Sequence, residues 1–511
     1  MIHRISVALA LLALSGIAFA QSSKVTVNAQ RDMGEISPFI YGQFIEYMGR
    51  CIEGGIYDAA SPLSREDGIR ADVLEKVKDM APPLIRFPGG TFVKTFHWED
   101  GVGPKEQRRV SKNLIWGGIN HFQFGTCEFL EYCKEVGAEP VLVVNLSTGS
   151  PDEAAHWVEY CNGTEDTYYA NLRRSHGYEE PFNVKYWALG NEEAAEPDAG
   201  RHQNPNRYVE DVWQFIKHMK LTDPSIQLIA DGERGNDEWN KIILKGLDGA
   251  IDYISFHGYV DTWENPYSIF ERIGRVEREL GEMARTIEQY STFPVKDWKK
   301  WYRFPERTHP IKIALDEWGI WEKQEPPYGT TVTYEWRHAL ATAWYLNSII
   351  RQCSNVGMAN WAQMVNILAP IMTTPDASIR QTVFYPLREY RKAALGHCVE
   401  TRVDVPRVES LPEVSTMDAV ATVDSKERTL TLCLVNISPK EQSTSLDIQG
   451  VKVKELLEST TLTGSSIDAV NSYKTPQKPD VVKVQRTSPK KVPSSVKVPR
   501  ESILILRFST Q

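Results

Sequence analysis

Of eight short apolar runs in this 511-residue chain, seven contain, or lead into, a side chain read as able to do chemistry; the fifth run, Ile226 to Ala230, is not among them. Glu46 follows the run from Phe39 to Ile45. Arg86 sits in Leu84 to Phe87, just before Pro88-Gly89-Gly90. Asn145 lies in Val141 to Leu146, and Asn191-Glu192 come just after Val184 to Leu189. His257 and Tyr259 follow Ile251 to Phe256, Glu317 follows Ile311 to Leu315, and Gln363 lies in Met358 to Met364. Leaving such a group buried without a partner costs about 2–7 kcal/mol, so their recurrence at run ends points to a site. Singly they say little: an Asn-Glu pair is common, His257 alone reads as a satisfied core histidine, and Arg86 alone as a neutraliser of buried carboxylates.

Hydrolysis of an acetal needs two carboxyl groups facing one anomeric carbon. One protonates the departing oxygen; the other attacks the carbon or activates water. Glu192 and Glu317 come from the fourth and seventh runs and can bracket a sugar from opposite sides of a closed arrangement. About 5–5.5 Å between them would mean retention and about 6.5–9.5 Å inversion. Asn191, beside Glu192, supplies an amide for the sugar 2-OH. No metal or organic cofactor is expected: the chain has no CxxC pair, no spaced His/Cys cluster, no GxGxxG after the first run and no Walker-type loop.

The elements that must position these groups follow from periodicity. Between the apolar runs lie helix-period segments: Val73, Leu74, Val77 and Met80 mark one face, and Val212, Phe215, Ile216 and Met219 another. A third runs through Phe129, Leu130, Cys133 and Val136 to a stop at Gly137. Strands alternating with helices pair in parallel, and eight such units close into a (β/α)₈ barrel, with an open doubly wound sheet as the alternative. In a barrel, the strand ends where these polar residues fall are where function gathers. After about residue 395 the texture turns to β. Leu430, Leu432 and Leu434 alternate on one face of a strand, and Val420–Val423 and Ser502–Phe508 are similar, which predicts an antiparallel, jelly-roll-like sandwich. Residues 474–500, basic and Pro-rich, read as a long extended, solvated loop.

Bulk properties narrow the partners. A net charge of −9 argues against a nucleic-acid partner. Seven cysteines in so long a chain are sparse and odd in number, so this is no disulfide scaffold. Arg4, the apolar stretch Val7–Leu14 and Ala18-Phe19-Ala20 read as an export signal cleaved after Ala20, predicting a periplasmic or extracellular protein. That stretch is too short to span a membrane, and no later one approaches about 20 apolar residues. Asn162-Gly-Thr, Asn436-Ile-Ser and Asn145-Leu-Ser match the glycosylation acceptor pattern. The division expected is a signal at 1–20, a segment at 21–38 contributing to the sandwich, a catalytic barrel at 39–390 and a β-sandwich at 391–511.

Longer motifs carry a resemblance to a known family. They are Ile40-Tyr-Gly-Gln-Phe-Ile-Glu46, Arg86-Phe-Pro-Gly-Gly90, His97-Trp-Glu-Asp-Gly-Val-Gly-Pro104, Trp187-Ala-Leu-Gly-Asn-Glu192, Asp252-Tyr-Ile-Ser-Phe-His257, Asp316-Glu-Trp-Gly-Ile-Trp321 and Ala362-Gln-Met-Val-Asn-Ile-Leu-Ala-Pro-Ile371. In this order, over about residues 36 to 390, they resemble glycoside hydrolase family 51, the α-L-arabinofuranosidases of the clan of retaining barrel glycosidases. The resemblance implies Glu192 as acid/base and Glu317 as nucleophile. It implies that Glu46, Asn191 and Gln363 bind furanose hydroxyls, that His257, Tyr259 and Arg86 stand beside the nucleophile with Tyr259 orienting it, and that Trp116 and Trp321 border the pocket. It also implies that the stretch near Lys24–Asn28 joins the sandwich, and that the chain assembles as a trimer or hexamer. The substrate implied is an arabinose-bearing oligosaccharide or polysaccharide from plants.

Two departures bear on specificity. Thr91 stands where many members have an Asn that binds the glycone. Glu193 and Glu196 add acids close to Glu192 and are expected to face solvent. The rival readings are an endo-β-glucanase or other furanosidase on the same barrel, and a non-catalytic carbohydrate-binding protein, which would have no need of both Glu192 and Glu317.

Overall fold

The computed structural model describes residues 23–194, 202–262, 265, 267–293, 304–305, 307–322, 332–472 and 480–511. The export-signal reading of residues 1–20 and the expectation for Glu196 fall outside them.

Each of the eight apolar runs supplies a strand of one closed parallel barrel. The strands are β1 (Gly42–Phe44), β2 (Leu84–Phe87), β3 (Glu139–Val144), β4 (Tyr186–Leu189), β5 (Gln227–Ala230), β6 (Tyr253–Val260), β7 (Lys312–Ile320) and β8 (Val356–Ala362). They pair in chain order, β8 closes on β1, and every pairing is parallel. Helices follow in turn: α1 (Ala71–Met80), α2 (Thr126–Val136), α3 (Pro151–Asn162), α4 (Tyr168–Ser175), α5 (Pro205–Thr222), α6 (Asp237–Leu247), α7 (Ser268–Tyr290), α8 (Trp336–Arg351) and α9 (Phe384–Ala393). The runs are apolar throughout because both strand faces are covered. Val141 and Val143 join Tyr186, Ile229, Ala314 and Met358 in one cluster, while Leu142 and Val144 belong to the larger cluster shared with the helices.

The run from Phe39 to Ile45 is only partly a strand. Pro38–Tyr41 forms a 3₁₀ turn, capped by the Ser37 hydroxyl accepting from the Phe39 N–H, and pairing begins at Gly42. The strands β6 and β7, conversely, outrun their apolar stretches, so His257, Tyr259 and Glu317 lie within them rather than after them. On β6 the alternation that buries Tyr253 also aligns Ser255, His257 and Tyr259 on one face. On β7 simple alternation from Ala314 would aim Asp316, not Glu317, at the interior. A bulge intervenes: Ala314 pairs with Ser255 and Glu317 with His257, three residues advancing against two.

The second unit is a nine-stranded sheet that folds over as a sandwich. Leu456, one strand from one edge, and Val498, on the other edge, share a core with Leu430, Leu432, Leu434 and Phe508. The N-terminal strand Ser23–Glu35 lies inside this sheet, antiparallel to His397–Asp404 and parallel to Gln442–Gln449, so the sandwich is not wholly antiparallel as expected. The strand Thr429–Asn436 is buried on both faces. Its leucines fill the sandwich core, while Cys433 and Val435 belong to the cluster shared with the barrel helices. Residues 474–500 are not one extended loop. Val482–Thr487 and Ser495–Val498 are the two edge strands of the sheet, and exposed edges suit the Lys and Arg they carry. Residues 473–479 lie outside the described set.

All seven cysteines are buried free thiols. Asn436 is fully buried and its amide donates to the carbonyls of Lys440, Val498 and Pro499, and Asn145 is 6% exposed, so neither can accept a glycan in the folded chain. No helix among the described residues is long and apolar enough to cross a membrane.

Candidate active site

At the C-terminal mouth of the barrel, Arg86 on β2 links three strands. Its guanidinium donates to Glu317 Oε1 on β7 at 2.8 Å and to Asn191 Oδ1, just past β4, at 2.6 Å. Its Nε lies 3.4 Å from Asp316 Oδ2. The Tyr259 hydroxyl donates to the other Glu317 oxygen at 2.7 Å. His257 bridges the two glutamates: its Nδ1 lies 2.7 Å from Glu192 Oε1 and 3.6 Å from Glu317 Oε2, and its Nε2 is 3.5 Å from Asp316 Oδ1. The nearest ligand atoms of Glu192, His257 and Glu317 fall within 4.8 Å of one another, the one such group among the described residues with the reach to hold a cation.

Burial and charge act against each other here. Burial disfavours the Arg86 cation, yet Asp316 and Glu317 raise its pKa, so it stays charged. Burial likewise disfavours an imidazolium, but the charge of Glu317 and the hydrogen bonds its ring donates to Asp316 and Glu192 raise His257 well above the ordinary histidine value. Burial pushes Glu192 up, and the His257 contact outweighs it, leaving the carboxyl below its usual value. The resting pair therefore keeps its proton on His257, hydrogen-bonded to Glu192. Tyr259, raised well above its usual value by burial and by Glu317, stays a protonated donor.

Beside this cluster is a cavity of about 230 Å³, bordered by Glu46, Thr91, Trp116, Glu192, Glu317 and Trp321 among others. The Glu46 carboxyl accepts from the Phe92 N–H, Trp116 Nε1 and Gln363 Nε2, all at 2.9 Å, and burial with the nearby Glu317 charge raises it to about 7. A side chain at Gly90 would put its Cβ 2.6 Å from Glu46 Oε1, which explains a glycine there. Trp116 is delivered by a loop after β2, between the paired segments Ser111–Lys112 and Ile119–Asn120. Trp321 meets Tyr259 edge-on at 5.1 Å between ring centroids. Thr91 is 8% exposed and lines the cavity. Asn191 does not line the cavity; its Nδ2 is buried and has no protein partner among the described residues.

Three placements were not foreseen. Asn145 does not line the cavity; its amide ties its own loop to Phe96 and Thr148. Glu193 does not face solvent: it is fully buried, and its carboxylate meets His202 Nδ1 at 2.8 Å. Asp231, at the end of β5, accepts from the backbone N–H groups of Glu192 and Glu193. The run-end pattern that singled out the other residues also marks Asp231, which directly follows Ile226–Ala230.

Two close carboxylates at the mouth of a parallel barrel, one hydrogen-bonded by arginine and tyrosine and the other beside a one-sugar cavity, make the chemistry that of a glycoside hydrolase. Similarity to known proteins gives the family. A family model described as "Alpha-L-arabinofuranosidase 1 domain" matches residues 76–275, and one described as "Alpha-L-arabinofuranosidase C-terminal domain" matches 316–502. "Probable alpha-L-arabinofuranosidase C" of Aspergillus fumigatus is 36% identical over 96% of this chain and 98% of its own. "Alpha-L-arabinofuranosidase C" of Emericella nidulans is 40% identical over 75% and 77%. The crystal structure of α-L-arabinofuranosidase from Thermotoga maritima, an arabinose complex, superposes with a TM-score of 0.84 at 32% identity, covering 96% of this chain and 100% of that one. The chain belongs to glycoside hydrolase family 51, the α-L-arabinofuranosidases. A Paenibacillus polymyxa xyloglucanase shares the fold alone, at a TM-score of 0.58 and 13% identity.

Proposed function

We propose that this protein is an exo-acting α-L-arabinofuranosidase that works with retention, Glu317 as nucleophile and Glu192 as acid/base. The observation that carries the mechanism is the approach of the two carboxylates, whose nearest oxygens lie within 4.8 Å. That approach is nearer the about 5–5.5 Å between the carboxyls of retaining enzymes than the about 6.5–9.5 Å of inverting ones, and it supports direct attack by Glu317. Arg86 and Tyr259 each donate to one Glu317 oxygen and so aim the carboxyl, while His257 keeps a proton against Glu192. As Glu317 bonds to the anomeric carbon and the glycosidic bond breaks, the His257 proton passes through Glu192 to the departing oxygen, leaving Glu192 ionised and His257 neutral. Glu192 then draws a proton from the incoming water and returns it to His257, while the water oxygen bonds to the anomeric carbon, displaces Glu317 and releases the sugar.

The cavity supports exo action. At about 230 Å³ it falls below the roughly 300–1,000 Å³ of sites that take drug-sized ligands, and it suits one terminal furanosyl residue. Glu46 and Gln363, which line the cavity, and Asn191 beside Glu192 are the residues we assign to its hydroxyls, with Trp116 and Trp321 bordering its ring. The substrates are arabinosyl branches or ends of plant polysaccharides, and the signal pattern in residues 1–20 supports export to reach them. The test is hydrolysis of 4-nitrophenyl α-L-arabinofuranoside beside the arabinopyranoside, galactofuranoside and xyloside, with Glu317→Gln as control. We expect selective cleavage of the arabinofuranoside and loss of at least a thousandfold in the variant. Near-normal turnover by Glu317→Gln would overturn the nucleophile; preference for another glycone would overturn the sugar and direct attention to Thr91.

A further inference from the structure

Glu192 has an unusual backbone. Its φ is +44°, a conformation non-glycine residues rarely adopt, and it comes directly after Gly190 (φ +86°) and Asn191 at the end of β4. Such a backbone persists only where its surroundings hold it. Here both ends of the residue are held. The Glu192 N–H donates to Asp231 Oδ1 at 3.0 Å, the Glu193 N–H donates to Asp231 Oδ2 at 2.8 Å, and Lys94 Nζ donates to the Glu192 carbonyl at 3.1 Å.

Asp231 is itself held rigidly. Its N–H donates to the Tyr208 hydroxyl at 2.8 Å, and its carbonyl accepts from Trp239 Nε1 at 3.0 Å. It is 3% exposed, and among the described residues its carboxyl oxygens accept from these two backbone N–H groups and from nothing else. The neighbouring Glu193 points away from the cavity into the buried His202, whose Nε2 meets Asp211 on α5 at 3.0 Å. Consecutive glutamates are thus sent to opposite sides of the turn, one to the cavity and one to the interior.

We infer that Asp231 is a positioning residue for Glu192: by accepting the N–H groups of Glu192 and Glu193 it fixes the left-handed turn from which the Glu192 carboxyl meets the glycosidic oxygen. The inference rests on Glu192 being the acid/base. Asp231 touches neither substrate nor reacting atoms, so its loss affects proton transfer and spares Arg86, Tyr259 and Glu317. In Asp231→Asn the side-chain shape is kept, but an amide N–H faces a backbone N–H and one of the two hydrogen bonds is lost.

The test compares two substrates that share a glycone and differ in the need for an acid. Departure of 4-nitrophenolate needs little protonation, whereas methanol leaving from methyl α-L-arabinofuranoside needs it fully. For Asp231→Asn we expect kcat/KM on the methyl glycoside to fall at least tenfold further than on the nitrophenyl glycoside. The nitrophenyl kcat and KM should fall together as the glycosyl-enzyme accumulates, and azide should restore turnover. An equal loss on both substrates, or wild-type kinetics, would overturn the proposal, and a lowered melting temperature with unchanged selectivity would mark Asp231 as structural only. Glu192→Ala is run alongside. If it too lacks leaving-group dependence, the acid/base assignment fails and the positioning role falls with it; if it shows the dependence and Asp231→Asn does not, only the positioning role fails.

Discussion

At the scale of single residues, the site is a problem of holding like charges together. Asp316 and Glu317 are adjacent in the chain and buried, at 2% and 6% exposure. They coexist because Arg86, 1% exposed, faces both. His257 supplies the second positive centre, in contact with Glu192, and in the mechanism proposed above it is the source of the first proton. The pH dependence follows from its raised pKa. The imidazolium is favoured in the folded site, so its stabilisation is complete below about 6.5, the unfolded histidine value, and is lost as pH rises through the higher folded value. Activity should follow the same sign. The alkaline limb of kcat/KM, which reports the free enzyme, is expected above about pH 6.5. A limb below that value, measured on 4-nitrophenyl α-L-arabinofuranoside, would show that His257 does not hold the proton.

Among the elements, α8 joins the two units. Every residue from His338 to Ile350 is buried, which no two-faced surface helix shows, because the barrel covers one side and the sandwich strands Met417–Asp424 and Thr429–Asn436 the other. At its C-terminal end Arg351 pairs with Glu277 on α7 at 2.7 Å and with Asp418 of the sandwich at 3.0 Å. Replacing Arg351 by Ala leaves two acids facing each other without their cation. Breaking a fully enclosed pair costs about 3–5 kcal/mol. With 26% of the Arg351 side chain accessible, we expect about 2–3 kcal/mol, read as a lower urea midpoint at unchanged slope.

The whole molecule should behave as one cooperative body. The strand Ser23–Glu35 comes from the start of the chain, yet it lies between His397–Asp404 and Gln442–Gln449, so the sandwich is completed only when the barrel has brought its ends together. Cys433, Val435, Ile503 and Ile505 of the sandwich share their core with the barrel helices. A chain truncated after Gly396 would strip the cover from α8 and expose a continuous apolar surface. We expect it to be recovered as aggregate, whereas the full chain gives a single calorimetric transition. A soluble truncated barrel that keeps arabinofuranosidase activity would show the sandwich to be dispensable.

Local pattern determined much of this protein. Continuous apolar runs are what a strand covered on both faces requires, so eight of them spaced by helical periods spell a barrel, and polar residues at their ends mark its mouth. What pattern could not carry was any event that breaks the period or joins distant segments. The bulge on β7 turns Glu317 inward against simple alternation, and no residue type announces it, since it arises from the register with β6. Glu193 looks like a surface acid until His202 is brought against it. The basic stretch read as a loop contains edge strands because the sheet offered its edges for pairing. The approach of Glu192 and Glu317 likewise depends on barrel closure, which brings together residues 125 positions apart in sequence.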